Sequence, residues 1–216
     1  MTPTRTFRNI CVVGNIASGK STLAELLAAE IPHSAAVLES FEHNPFLALY
    51  LQDPKRWAFT NAVRYFYDYA RVFQARTAGR EYRHHFIDAG APTNRYVYGR
   101  YMREEGIVTQ AEYEFYEILC DLIERAYAYP TPDAYIFVEC PPEVCLARMQ
   151  ARAWTYQNPI SLEYLAGLEK YFSAFQASVA EQKIPFLQVN SEALDFHSAQ
   201  GRADAVARVN AFLAQA

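Results

Sequence analysis

No stretch of this sequence stays apolar long enough to cross a bilayer, and the opening residues, Met-Thr-Pro-Thr-Arg-Thr-Phe-Arg-Asn, contain no signal-peptide core. A soluble protein that is not exported is therefore expected. Basic residues do not exceed acidic ones: 20 stand against 24, a net charge of -4, with no basic stripe or tail, which argues against a polynucleotide partner. Cysteine is sparse. Cys11, Cys120, Cys140 and Cys145 show no CxxC or Cys/His metal spacing, and three of them fall in apolar segments where a free thiol packs as a small hydrophobe; a reduced cytoplasm fits. His33, His43, His84, His85 and His197 likewise lack metal-ligand spacing and are expected on the surface or in loops. Repeats, low-complexity tracts and linkers are all missing, so residues 1–216 are expected to form one domain.

What is abundant is aromatic: 16 Tyr and 14 Phe, concentrated between Tyr50 and Tyr129, form either a packed core or the wall of a pocket for a flat ligand. Short apolar runs at Ile10 to Val13, Ala35 to Leu38, His85 to Ile87, Ala134 to Val138 and Phe186 to Val189 read as buried parallel strands. Between and after them, helical spacing runs over Ser21 to Ala29, Lys55 to Ala78, Arg95 to Glu105, Gln110 to Tyr129, Pro142 to Arg152, Ser161 to Lys183 and Arg202 to Ala214. This alternation predicts an α/β fold with a five-stranded parallel sheet between two layers of helices.

Gly14-Asn15-Ile16-Ala17-Ser18-Gly19-Lys20-Ser21 follows the first apolar run and opens the first helix. In that context the string is a P-loop: glycines let backbone N–H groups turn inward around phosphate, Lys20 adds a charge, the helix adds its positive end, and Ser21 can ligate Mg²⁺. Thr22 completes the predicted nucleotide contacts. The alternative is a glycine turn before an ordinary helix. Chance would supply the string in roughly one chain per hundred of this length, and more rarely after a strand, which favours the P-loop. Neither a guanine-reading Asn-Lys-x-Asp nor an apolar strand ending in Asp-Glu occurs, so a small-molecule kinase is expected over a GTPase or motor.

Glu39, then Asn44-Pro45-Phe46-Leu47, then Asp53-Pro54-Lys55-Arg56-Trp57-Ala58-Phe59 resemble the deoxynucleoside kinases, in particular the bacterial deoxyadenosine and deoxyguanosine kinase branch. The likeness continues through Asp88, Arg95-Tyr96, Pro132 to Ile136 and Pro142 to Arg148, nearly the whole chain. It implies that Glu39 takes the proton of a nucleoside 5′-hydroxyl, a role that suits a carboxylate within hydrogen-bond reach. It implies also that Asp88 helps hold Mg²⁺ with Ser21, and that an arginine-bearing lid, residues 148–160, closes over the phosphoryl group. Arg148 and Arg152, four apart on one helix, match two lid arginines; a third position holds Trp154, and two solvated surface arginines are the plainer alternative.

Several positions depart from the family pattern. The arginine that normally follows the acid of the third strand is replaced in Asp88-Ala89-Gly90. Arg95 lies about two helical turns farther, roughly 10 Å of rise, and is assigned to phosphate instead. Counting from Trp57, itself an expected substrate contact, the base-reading glutamine becomes Ala62, with Tyr65 and Tyr69 next on the same face. The sugar-binding tyrosine becomes Leu51, and the lid acid falls near Tyr156-Gln157. Tyr65, Tyr69 and Tyr98 can stack on a base or simply pack helices; Asn61, Asn94 and Gln157 are amides that can replace lost contacts.

The expected activity is ATP- and Mg²⁺-dependent phosphorylation of a deoxynucleoside, a purine first. Two alternatives stand beside it: a nucleotide-binding partner subunit that has given up efficient chemistry, and a kinase for another small hydroxyl compound. Pairing through the long helices, as homodimer or heterodimer, is implied by the resemblance.

Overall fold

The computed structural model describes residues 7–39, 44–152 and 160–215. In chain order these form β1 (Asn9–Gly14), α1 (Lys20–Glu30), β2 (Ser34–Val37), α2 (Leu47–Gln52), α3 (Pro54–Thr77), β3 (His84–Asp88) and α4 (Gly90–Thr93). A π-helical stretch (Asn94–Gly99) leads into α5 (Arg100–Glu104), followed by α6 (Gln110–Tyr127), β4 (Ala134–Glu139), α7 (Pro142–Ala151), α8 (Leu162–Glu181), β5 (Phe186–Asn190) and α9 (Ala199–Leu213).

All five strands pair in parallel, in the order β2-β3-β1-β4-β5. Parallel pairing needs long crossovers, and the helices that supply them cover both faces, which is why these strands are continuous apolar runs. Alternation along the strands still sorts the side chains. Ile10, Val12, Phe86, Ile136 and Val138 pack with the apolar faces of α1 and α9, while Cys11, Val13, Tyr135 and Phe137 pack with Val97 of the π-helical stretch and with α8. A third cluster joins α3 to α6 through Ala62, Phe66, Tyr69 and Tyr116.

Helix starts follow side-chain chemistry. The Asp53 carboxylate accepts from the Arg56 N–H at 3.2 Å ahead of Pro54 at the first turn of α3. Thr109 and Glu112 form a reciprocal capping box on α6, and Ser161 and Ser198 cap α8 and α9.

Three features differ from expectation. The helix expected over Arg95 to Glu105 starts earlier and is π-helical through Gly99, a wider turn that recurs at functional sites. Short α2 was not foreseen. His84 and His85 are not surface residues: both are buried in β3, where His84 Nδ1 lies 2.7 Å from the Phe7 carbonyl and His85 Nδ1 2.9 Å from Asn9 Oδ1. Burial lowers the pKa of both rings. The lid positions Trp154, Tyr156 and Gln157 lie outside the described residues. Among the described residues no helix is long and apolar enough to cross a membrane.

One edge of the sheet collects the chemistry. The phosphate loop follows β1, Glu39 lies two residues beyond β2, Asp88 closes β3, and Cys140 and Ser191 follow β4 and β5. Carboxyl ends of strands in open α/β sheets are where such folds bind ligands.

Candidate active site

The loop between β1 and α1 is shaped by two glycines. A Cβ on Gly14 would run into the Val138 carbonyl of β4, and Gly19 adopts φ 102°, a left-handed conformation that side chains resist. The loop is also tied from both sides. Asn15 Nδ2 donates to the Leu165 carbonyl at 2.9 Å and to Glu169 Oε1 at 2.6 Å, both on α8, while Asn15 Oδ1 accepts from the Ile16 N–H. Lys20 Nζ donates to the Asn15 carbonyl at 2.7 Å. The Ser18 hydroxyl is buried with no hydrogen-bond partner among the described residues.

Arg148 fastens the loop from behind. Its Nη1 donates to the Ser18 carbonyl at 3.2 Å and to Ser191 Oγ at 3.0 Å, and its Nη2 donates to the Ser191 carbonyl at 2.7 Å. The lid role expected for it is thus not the one its contacts serve: the guanidinium is engaged by backbone and is absent from the cavity described next. Arg152, one turn later and exposed, does line that cavity.

A cavity of about 580 Å³ opens beside the loop, with Gly19, Lys20, Ser21 and Thr22 at one end and Ile16 and Ala17 on its wall. Glu39 stands on the wall too, together with Tyr65 and Tyr69 of α3, Tyr98 of the π-helical stretch, and Ala62, Ala89 and Leu51. Asp88 sits behind Ser21, whose hydroxyl donates to Asp88 Oδ2 at 2.6 Å; Asp88 Oδ1 is buried with no hydrogen-bond partner among the described residues.

Two carboxyl groups and one lysine set the electrostatics. Burial, reinforced by the charge of Asp88, pushes Glu39 up to about 7; Lys20 and the Tyr69 hydroxyl, which donates to Glu39 Oε1 at 2.9 Å, pull the other way. Burial raises Asp88 as well, against the pull of Lys20 and Ser21. A carboxyl group poised near neutral pH on a cavity wall suits proton transfer.

Two predicted contacts fall elsewhere. Arg95 is held by α6, donating to Glu117 Oε2 at 2.6 Å and Asp121 Oδ1 at 2.8 Å, with Glu124 at 3.6 Å, so it is not a phosphate ligand in this arrangement. Trp57 stacks on Phe46 with ring centroids 5.9 Å apart and does not line the cavity. Asn61 is occupied, accepting from Asn44 Nδ2 at 2.9 Å, whereas Asn94 lines the cavity with its Oδ1 held by the Tyr116 hydroxyl at 3.1 Å.

Sequence reasoning missed Tyr50, Tyr101 and Tyr164, which bring α2, α5 and α8 to the cavity. Burial raises the hydroxyl pKa of both Tyr50 and Tyr164. Only the aromatic density between Tyr50 and Tyr129 hinted at the first two; Tyr164, three residues after the Ser161 cap, looked like any helix-packing ring.

Ala89, where the family arginine would stand, has φ 55° and ψ −58°, a strained γ-turn conformation for a residue with a side chain. Its carbonyl accepts from the Cys11 thiol at 3.1 Å and from the Thr93 hydroxyl.

A five-stranded parallel sheet carrying a P-loop, with an acid lining the same cavity, defines a phosphotransferase of the P-loop kinase type. A family model for deoxynucleoside kinases matches residues 10–214, and the chain belongs to the deoxynucleoside kinase family. It is 24% identical to a probable deoxycytidine kinase of fowlpox virus, over 87% of this chain and 80% of the viral protein. It is 26% identical to the deoxyadenosine/deoxycytidine kinase of Bacillus subtilis, over 78% of each chain. The deoxyadenosine kinase of Lactobacillus acidophilus is 25% identical over 87% of both.

Proposed function

We propose that the protein transfers the γ-phosphoryl group of ATP to the 5′-hydroxyl of a deoxynucleoside, with Glu39 as general base and Mg²⁺ held at Ser21 and Asp88. The observation that carries this reading is the position of Glu39, raised to about 7, on the same cavity as Lys20 and Ser21. The residues suit the absent groups. A loop closed by two backbone-demanding glycines, with Lys20 and Ser21 on the cavity and the Ser21 hydroxyl bonded to Asp88, supplies the charge and oxygen donors that a phosphate and a hard cation require.

Magnesium, when bound, neutralises negative charge on the donor phosphates. Lys20 supplies a fixed positive charge at the loop, and the first turn of α1 adds its N–H groups. Glu39, whose pKa burial raises towards neutrality, accepts the hydroxyl proton as that oxygen bonds to phosphorus. Arg152 is positioned to offset charge on the phosphoryl oxygens from the cavity side. The tyrosine-lined remainder of the cavity takes the base by stacking, with Asn94 offering an amide donor at its edge.

Purine deoxynucleosides are the proposed substrates, supported by the deoxyadenosine kinase activity for which the Bacillus and Lactobacillus relatives are named, with deoxycytidine, named for the Bacillus protein as well, as the competing case. Purified protein with ATP, Mg²⁺ and each of the four deoxynucleosides, read by chromatography for the monophosphate, tests this directly. Absence of product from all four counts against it. The apolar wall at Leu51, Ala62 and Ala89 favours a second reading, a nucleotide-binding partner subunit with weak chemistry. Stabilisation in a melting experiment by ATP·Mg²⁺ but by no nucleoside would favour that reading.

The four cysteines are free and buried, in keeping with the reducing cytoplasm we assign. We assign also a dimer, homomeric or with a related kinase, through the exposed face of α6 that carries Phe115, Ile118 and Leu122.

A further inference from the structure

The family arginine that would orient the base carboxylate is absent at Ala89, whose methyl group can make no hydrogen bond. Glu39 is nonetheless held. Tyr69 projects from the middle of α3, a 24-residue helix, and its hydroxyl donates to Glu39 Oε1 at 2.9 Å. The ring is buried, 7% exposed, and its neighbour one turn back, Tyr65, lies with ring centroids 6.3 Å away. Behind the pair a small cavity of about 10 Å³, the size of one water, is walled by Glu39, Tyr69, Asp68 and the apolar Val37, Val72 and Ile87. Glu39 thus has a partner held on a long helix at one oxygen and a space no larger than one water beside it.

We propose that Tyr69 is the positioning residue of the phosphoryl-transfer step: by engaging Oε1 it fixes the rotamer of Glu39 and presents Oε2 to the acceptor hydroxyl. This rests on the kinase reading above. In the step itself the acceptor O–H bond breaks and its proton passes to Glu39 Oε2. An O–P bond forms to the γ-phosphorus as the bond from that phosphorus to the ADP oxygen breaks. Tyr69 exchanges no proton; its hydroxyl acts on the step through Glu39. A carboxylate on the short segment after β2 would otherwise sample several rotamers, and a donor fixed on a long helix removes that freedom, which is how supporting residues preorganise a site.

The test is a double-substitution cycle of wild type, Tyr69→Phe, Glu39→Asp and the pair, using the deoxynucleoside that wild type turns over fastest. Tyr69→Phe is expected to lower kcat roughly tenfold to a hundredfold with both KM values within about threefold, because the interaction acts in the transition state. In the Glu39→Asp background, where the carboxylate is one methylene farther from the ring hydroxyl, the same substitution is expected to cost less than about threefold. Melting temperatures of the four proteins at pH 8 give the second readout: Tyr69→Phe should lower that of wild type and leave that of Glu39→Asp within about 1 °C.

An unchanged kcat in Tyr69→Phe overturns the proposal, as does a loss confined to KM. Equal losses of both kcat and melting temperature in the two backgrounds would show ordinary helix packing and overturn it too. Wild type that phosphorylates no deoxynucleoside removes the underlying function; turnover that is insensitive to Tyr69→Phe removes the role of Tyr69 alone.

Discussion

The Ser21 hydroxyl donates to Asp88 Oδ2 at 2.6 Å, joining the first turn of α1 to the end of β3 across the mouth of the phosphate loop. The second Asp88 oxygen is buried and has no side-chain partner among the described residues, and the proposed Mg²⁺ site is tested there. Asp88→Asn is expected to abolish the additional melting-temperature shift that Mg²⁺ produces in the presence of ATP, with ATP alone still stabilising. Ser21→Ala should weaken that shift without removing it. A Mg²⁺ titration by thermal shift, at fixed ATP, distinguishes the two; an undiminished shift in Asp88→Asn would place the metal elsewhere.

The same two acids make stability depend on pH. Both have folded pKa values raised above their unfolded ones, so the folded chain binds more protons than the unfolded chain between those values. Their contribution is fully present below the unfolded pKa and is lost as pH rises through the folded value, which for Glu39 is about 7. Glu39→Gln is therefore expected to be inactive yet more stable than wild type at pH 8, by on the order of 3 kcal/mol, with the advantage shrinking towards pH 5. Urea melts at the two pH values measure it. An equal effect at both would assign the change to packing.

Arg148 and Arg152 look equivalent in sequence and should behave differently. Arg148 joins the Ser18 carbonyl to Ser191, so Arg148→Ala leaves carbonyl acceptors unpaired and loosens the loop. A loss of roughly 2 kcal/mol of stability is expected, with weakened ATP binding. Arg152 is exposed on the cavity, so Arg152→Ala should leave melting within about 1 °C and lower kcat about tenfold or more, with ATP affinity retained. Calorimetric ATP titrations beside steady-state rates separate the pair.

How much of this was legible varies with the kind of signal. The loop from Gly14 to Ser21 and the alternation of strands and helices are local, and backbone demands at Gly14 and Gly19 left their mark directly on residue type. Which face of a helix meets which neighbour is not local. Spacing could put Arg148 and Arg152 on one side of α7, but only the loop carbonyl and Ser191 decide that Arg148 is engaged behind the loop, while Arg152 lines the cavity. Arg95 was readable in principle: Glu117, Asp121 and Glu124 recur at i, i+4 and i+7 on α6 and form an acidic stripe that needs a partner. His84 and His85 were misread because their polar atoms satisfied the usual expectation of exposure, whereas Phe7 and Asn9 supply hydrogen-bond partners inside the sheet.

The outer face of α6 carries the last prediction. Phe115, Ile118 and Leu122 recur at i, i+3 and i+7 and are 52%, 54% and 51% exposed, a spacing that aligns them in one row along the helix. Phe59 of the neighbouring α3 extends the row, stacked on Phe115 with centroids 6.0 Å apart. Rows of this kind are normally covered, and a second copy brought up by a two-fold axis lays α3 and α6 against their equivalents as a four-helix bundle. Ile118 lies at the middle of the row, so Ile118→Glu places two carboxylates where two apolar side chains would meet. Sedimentation at micromolar concentration is expected to show wild type as a dimer and the variant as a monomer, since each large aliphatic or aromatic side chain contributes about 1.5–3 kcal/mol when fully buried. The cavity is lined within one chain, so the monomeric variant should retain nucleoside binding. A wild type that sediments as a monomer, or a variant that still pairs, would assign this face to another role.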